Sequence, residues 1–130
     1  MIVDSSAIIA ILRNESDAGD LIAALGTAPV RRVSIVTWLE SAIVTDGNQD
    51  AVLSRRFDGL FRDAQIQVEA VTPHQAELAR AAYRDFGKGR HQAGLNFGDC
   101  FAYALAKELD EPLLFKGNDF RHTDVEVAET

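Results

Sequence analysis

The stretch Leu95–Phe115, "LNFGDCFAYALAKELDEPLLF", sets two different apolar runs side by side. From Leu95 to Leu109 the apolar residues run too long for a strand, so the segment reads as a buried helix. "PLLF" (112–115) is short and bounded, and reads as a buried strand. A helix feeding directly into such a strand is a building unit of α/β proteins. One residue looks out of place. Asp99 puts a carboxylate in the first turn of the greasy helix, beside Cys100 and Phe101. A helix-capping role explains it in isolation, since Asp at a helix start accepts backbone N–H groups and suits the positive end of the dipole.

Outward from this stretch, the same alternation recurs. "MIVD" (1–4) is a candidate first strand, followed by a helix through "AIIAILRN" (7–14) that Ser5 or Ser6 caps. "SDAGDLIAALGTA" (16–28) reads as a second helix with Ser16 as its cap. The β-branched "RRVSIVT" (31–37) reads as a strand. Thr37 then caps "WLESAIVTDG" (38–47), with Glu40 in the first turn. "QDAVLSRRFDGLFRDAQ" (49–65) is an amphipathic helix, with Val52, Phe57, Leu60, Phe61 and Ala64 at roughly helical spacing. "IQVEAV" (66–71) is a strand. Thr72-Pro73, a cap followed by Pro at the first helical position, starts the helix that runs toward Gly89. A Gly-containing loop (87–96) leads to the opening stretch, and "VEV" (125–127) is a short last strand. The whole describes one domain over residues 1–130: an α/β sandwich with a mainly parallel sheet.

Composition narrows the function classes. The chain has 20 Asp and Glu against 13 Lys and Arg, a net charge of −7, which argues against charge-driven nucleic-acid binding over the whole surface. It leaves room for a local basic strip. No stretch approaches a membrane span of about 20 apolar residues, and the first 15 residues lack the basic region of a signal peptide. One cysteine, Cys100, rules out an internal disulfide framework and suits a reducing cytoplasm; as a small hydrophobe it belongs in the core. CxxC, HExxH, Walker and dinucleotide-binding glycine motifs are all missing.

In parallel sheets, sites form outside the carboxyl ends of the strands. Asp4 ends the first strand, Glu40 follows the second, Asp119 follows "PLLF", and Asp99 opens the helix that leads into it. Each has an ordinary explanation as a turn or cap residue. Together they put four acids at one edge of the sheet. Clustered carboxylates repel, more so when buried, and a fold that keeps them usually supplies a cation. An oxygen-only donor set suits Mg²⁺ or Mn²⁺ rather than Zn²⁺. Two such ions about 4 Å apart stabilise both oxygens of a phosphoryl displacement. The residues therefore point to metal-dependent phosphodiester hydrolysis with water as nucleophile. Ser6, Asn96 and Asn118 are candidate supporting groups around the acids, with turn and cap chemistry as their alternative. Asp124 is a weaker extra acid.

"MIVDSSAIIAIL", "TWLESA", "GLNFGDCFAYALA" and "LLFKGNDF" together resemble the PIN-domain ribonucleases, and more narrowly the VapC toxins of type II toxin–antitoxin pairs. The resemblance runs from Met1 to about Asp124. It implies a PIN-like three-layer α/β/α sandwich and places the family's acidic residues on Asp4, Glu40, Asp99 and Asp119, the last being the most variable. Many relatives carry Thr where this chain has Ser5 or Ser6, which keeps the hydroxyl. Further implications are Mg²⁺- or Mn²⁺-dependent endoribonuclease activity, a homodimer, and neutralisation by a VapB-like antitoxin. For RNA contact the basic loop residues Lys88, Arg90 and His91, close in sequence to Asp99, are the candidates. Two other phosphoryl-transfer folds fit worse. "IQVEAVT" lacks a receiver domain's acceptor Asp, although Lys116 after "PLLF" matches its lysine. Ser5 and Ser6 break the Asp-x-Asp of a haloacid-dehalogenase-like phosphatase. The competing class is a catalytically weak PIN-fold binding module acting through antitoxin or RNA contacts.

Overall fold

A computed structural model describes residues Met1–Thr130. Strand β1 (Ile2–Val3) is interior to the sheet, paired in parallel with β2 (Arg31–Ser34) on one side and β4 (Leu113–Leu114) on the other. β3 (Ile66–Glu69) extends the sheet beyond β2, giving the order β3-β2-β1-β4, all parallel. The chain thus builds outward from β1 to β3 and then returns to the opposite side of β1. That reversal creates a switch point between β1 and β4, where parallel sheets form their crevices.

Helices α1 (Ser5–Leu12), α2 (Ala18–Thr27), α3 (Ile35–Asp46), α4 (Ala51–Asp63), α5 (Pro73–Phe86) and α6 (Phe97–Leu109) flank the sheet. Alternation of side chains along the strands divides the core in two. Val3, Val33, Ile66 and Leu114 join α1, α2 and Phe57 of α4 on one face. Ile2 and Leu113 join Ala79 and Ala82 of α5 and the apolar side of α6 on the other. The architecture is the three-layer α/β/α sandwich expected from the resemblance, and its sheet is wholly parallel.

Several local expectations shift by a few residues, for one recurrent reason. Where a polar side chain can satisfy the free N–H groups of a first turn, the helix begins there, whatever the propensity of the next residues. Asp4 caps α1 in this way in place of Ser5 or Ser6. At α2 the reason does not apply: Asp17, not Ser16, stands at the cap position but makes no side-chain capping bond. Ser34 caps α3 through the Val36 N–H, so the β-branched Ile35-Val36 pair is helical and Thr37 lies inside the helix. Glu40 consequently falls in the second turn. Cys100 is buried, as a core residue should be. The "VEV" segment makes a single parallel bridge, Val127 to Leu113, rather than a full strand. No helix is long and apolar enough to cross a membrane.

Candidate active site

Asp4 follows β1 directly. Its own N–H donates to the Leu114 carbonyl at 2.9 Å, which ties the end of β1 to β4. Its carboxylate is 3% exposed, and one oxygen, Oδ2, accepts both the Ser6 N–H at 3.0 Å and the Ser6 hydroxyl at 2.6 Å. Burial pushes its pKa up; the Ser6 bonds oppose that shift and the charge of Glu40 reinforces it. The Ser6 hydroxyl in turn accepts the Lys116 N–H at 2.9 Å. Ser6 thereby links the first acid to the loop that carries the fourth.

Asp99 sits at the third position of α6 in a closed capping box. Its Oδ2 accepts the Asn96 N–H at 3.0 Å, and Asn96 Oδ1 accepts the Asp99 N–H at 2.9 Å. Asn96 is therefore the cap, and Asp99 combines the capping use suggested by its position with a place in the acidic cluster. Its pKa is pushed up to about 6, first by burial, against the Asn96 bond, and then by the charges of Asp4, Glu40 and Asp119. Asp4, Glu40 and Asp119 thus all act on Asp99 through space, and Glu40 acts on Asp4 as well.

Glu40 reaches the cluster from α3 through a contact that depends on a missing side chain. A Cβ on Gly98 would lie 2.2 Å from Glu40 Oε2 and 2.8 Å from its Cδ. The Glu40 carboxylate thus lies against the bare backbone next to Asp99. Sequence reasoning overlooked Gly98, and only its position beside an acid at a helix start could have drawn notice. Asp119 opens a short 3₁₀ turn (Asp119–His122) and is exposed. Asn118 precedes it, exposed and without a capping bond, and Asp119 is the loosest member of the group.

None of the chain's ion pairs includes Asp4, Glu40, Asp99 or Asp119. Compensation comes from the N-termini of α1 and α6, whose partial positive charge faces the acids. No three His, Cys, Asp or Glu side chains are drawn together into a ready-made cage for an ion. The donor chemistry nevertheless fits a hard divalent cation: oxygen only, no thiolate or imidazole, and unpaired negative charge partly withdrawn from water. Lys116, by contrast, is spent on Glu15 and Asp17. Asp124 accepts from Tyr103 and Lys107 at 2.6 and 3.1 Å and braces the C-terminal segment to α6.

The basic loop divides. Lys88 faces a groove beside Asn96 and Phe97. Arg90 lies over the Tyr83 ring at 5.8 Å. His91 is engaged in holding the loop, with Nδ1 accepting the Ala93 N–H at 3.0 Å and the ring edge-on to Phe86.

The raised pKa of Asp99 has a signed consequence. Its unfolded value is 3.8 and its folded value about 6. The folded state binds the proton more tightly, so this stability is fully present below about 3.8 and is lost as pH rises through about 6. Asp4, also raised, adds to the trend. In EDTA the melting temperature should fall over that interval. Asp99→Asn, neutral but still able to accept the Asn96 N–H, should melt above wild type near neutral pH and converge with it in acid. A lower melting temperature for Asp99→Asn at neutral pH would show that the cap outweighs the repulsion.

Comparison with known proteins bears on the family and the fold. Residues 1–126 match the PIN domain family. Ribonuclease VapC28 of Mycobacterium tuberculosis is 59% identical over 129 residues, covering 98% of this chain and 97% of that protein. Among solved structures, VapC20 of the same organism, titled a sarcin-ricin loop cleaving toxin, superposes with a TM-score of 0.76 at 16% identity, over 99% of this chain and 98% of that one. A toxin–antitoxin complex from Klebsiella pneumoniae superposes with a TM-score of 0.72 at 15% identity, over 95% and 92% of the two chains. The chain belongs to the PIN-domain family and, within it, to the VapC ribonucleases.

Proposed function

We propose that the protein is a metal-dependent endoribonuclease toxin, with Asp4, Glu40, Asp99 and Asp119 holding Mg²⁺ or Mn²⁺. The observation that carries this reading is the set of four carboxylates without a cationic partner, three of which raise the proton affinity of the fourth. When bound, a divalent ion supplies positive charge against a phosphodiester and activates water as the nucleophile. The chain's own residues then have distinct tasks. Ser6 occupies one oxygen of Asp4 and leaves the other free. The capping box does the same for Asp99 and fixes its rotamer from the rigid end of α6. Gly98 lets Glu40 approach. Asn96 supports Asp99, whereas Asn118 acts only through the turn it begins. A PIN-fold binding module without catalysis needs no such set of unpaired acids, and the complete set favours the enzyme.

A VapB-like antitoxin is the expected inhibitor. An Arg from such a partner can bridge two carboxylates and replace the metal's charge. Cytoplasmic residence fits the lone, buried cysteine. The homodimer has a structural motive in α3, which is folded inside out. Thr37, Ser41 and Thr45 are buried to within 1% exposure, whereas Ile35, Leu39 and Ile43 are 45–62% exposed along one stripe. Small buried side chains let α3 seat closely on its neighbours, and the outward apolar stripe is left for a second copy.

Three experiments test these assignments. Asp4→Asn, Glu40→Gln and Asp99→Asn should each lower RNA cleavage by on the order of a hundredfold or more while far-ultraviolet circular dichroism stays native. Mn²⁺ at about 100 times its dissociation constant should stabilise wild type by about 2.7 kcal/mol, a melting shift of several degrees, and Asp99→Asn should shrink that shift. Wild-type cleavage in any of these variants would remove that residue from the site. Gly98→Ala places a good helix former in the first turn, so EDTA melts should stay equal or rise. Its added methyl should displace Glu40 and reduce the Mn²⁺ shift; an undiminished shift would dismiss Gly98 as a spacer. Finally, Leu39→Glu with Ile43→Glu should convert a dimer to a monomer in sedimentation, and an unchanged mass would put the second copy elsewhere.

A further inference from the structure

A surface concavity separate from the four acids lies between α5 and α6. It is a groove of about 530 Å³ whose walls include Arg80, Tyr83, Lys88, Asn96, Phe97 and Phe101. Three features of it are unexplained by folding. Phe97 is 74% exposed, the most exposed large apolar side chain in the protein. It meets Phe101 edge to face, centroids 5.0 Å apart at 70°, a contact that occupies at most one of its two ring faces. It also stands two residues before Asp99, and Asn96, which lines the same groove, is hydrogen-bonded to Asp99. The surroundings are basic in an acidic protein. Its lining carries two cations, Arg80 and Lys88, and no acid, whereas the chain as a whole carries −7.

We propose that this groove seats an unpaired nucleobase of the RNA substrate, stacked on Phe97, with Arg80 and Lys88 along the flanking phosphates. The inference rests on the ribonuclease reading and adds the mode of substrate binding. Aromatic faces set in a basic groove are how single strands are held without base-pair readout, because every base has a π-face. Charge decides against a second copy of the chain as occupant. In a two-fold dimer the same patch meets itself, and the two cations of the groove, with no acid beside them in its lining, would face their own image. The uncharged stripe on α3 has no such conflict.

The test uses the full chain in EDTA and a fluorescent oligoadenylate of about ten nucleotides, together with an abasic strand of equal length. Anisotropy reads affinity, and sedimentation reads oligomeric state. Phe97→Ala should weaken oligoadenylate binding by on the order of tenfold or more and leave the abasic strand unaffected. Phe97→Trp should retain affinity, and oligoadenylate should quench the indole fluorescence it adds over the Trp38 background. Lys88→Ala with Arg80→Ala should weaken both strands and flatten the salt dependence. Equal affinity of wild type and Phe97→Ala for oligoadenylate would overturn the proposal while leaving the ribonuclease reading intact. If Phe97→Ala also changed the sedimenting mass, the surface would belong to a second copy. Wild type that neither binds nor cleaves RNA would remove both readings together.

Discussion

A short hydroxyl bridge organises the acidic edge of the sheet. Ser6 donates its hydroxyl proton to Asp4 and accepts the N–H of Lys116. The first contact satisfies a carboxylate withdrawn from water, and a buried acid without such a donor is costly. The second fastens the segment after β4 to the first turn of α1. One side chain thus adds to the Asp4 N–H bond to the Leu114 carbonyl in joining the ends of β1 and β4, the two strands that flank the switch point.

The same edge illustrates how a fold tolerates repulsion. Burial and three neighbouring charges raise the proton affinity of Asp99, yet its hydrogen bond to Asn96 opposes them. Helix N-termini act in the same direction as that bond. Elsewhere the protein pairs its charges, as where Arg32 reaches both Glu69 at 2.9 Å and Glu111 at 3.1 Å. The two carboxylates whose pKa values are raised, Asp4 and Asp99, both lie at this edge, and perturbed groups gathered in this way mark a candidate functional site.

Much of this was legible from the chain. The helix–strand alternation predicts a parallel α/β sheet because buried parallel strands are short and continuously apolar, as "PLLF" is. The four acids were legible because strand ends fix their location. Helix starts were not: Ser34 and Asp4 overrule the β-branched and serine residues beside them through one or two side-chain bonds, which no periodicity reveals. Gly98 was hidden for a different reason. Its role is an absence of atoms, and the partner that needs the space, Glu40, lies 58 positions earlier in the chain. The inverted face of α3 was equally opaque, since Thr37, Ser41 and Thr45 look like solvent residues until the helix is seen seated on them.

The single bridge between Leu113 and Val127 has a bearing on solubility. An open sheet edge offers a template on which another chain can add a strand. At β4, the Leu113 N–H donates to Glu126 at 2.8 Å, and its carbonyl accepts the Ala128 N–H at 2.9 Å. With the bonds to β1 on its other side, that edge is already spent. The C-terminal residues that supply the cover are pinned by Tyr103 to Asp124. At the far edge, β3 shields itself by chemistry, placing Gln67 and Glu69 on a strand only four residues long. A terminal tail and two polar side chains thus keep a fully parallel sheet from growing beyond its own molecule.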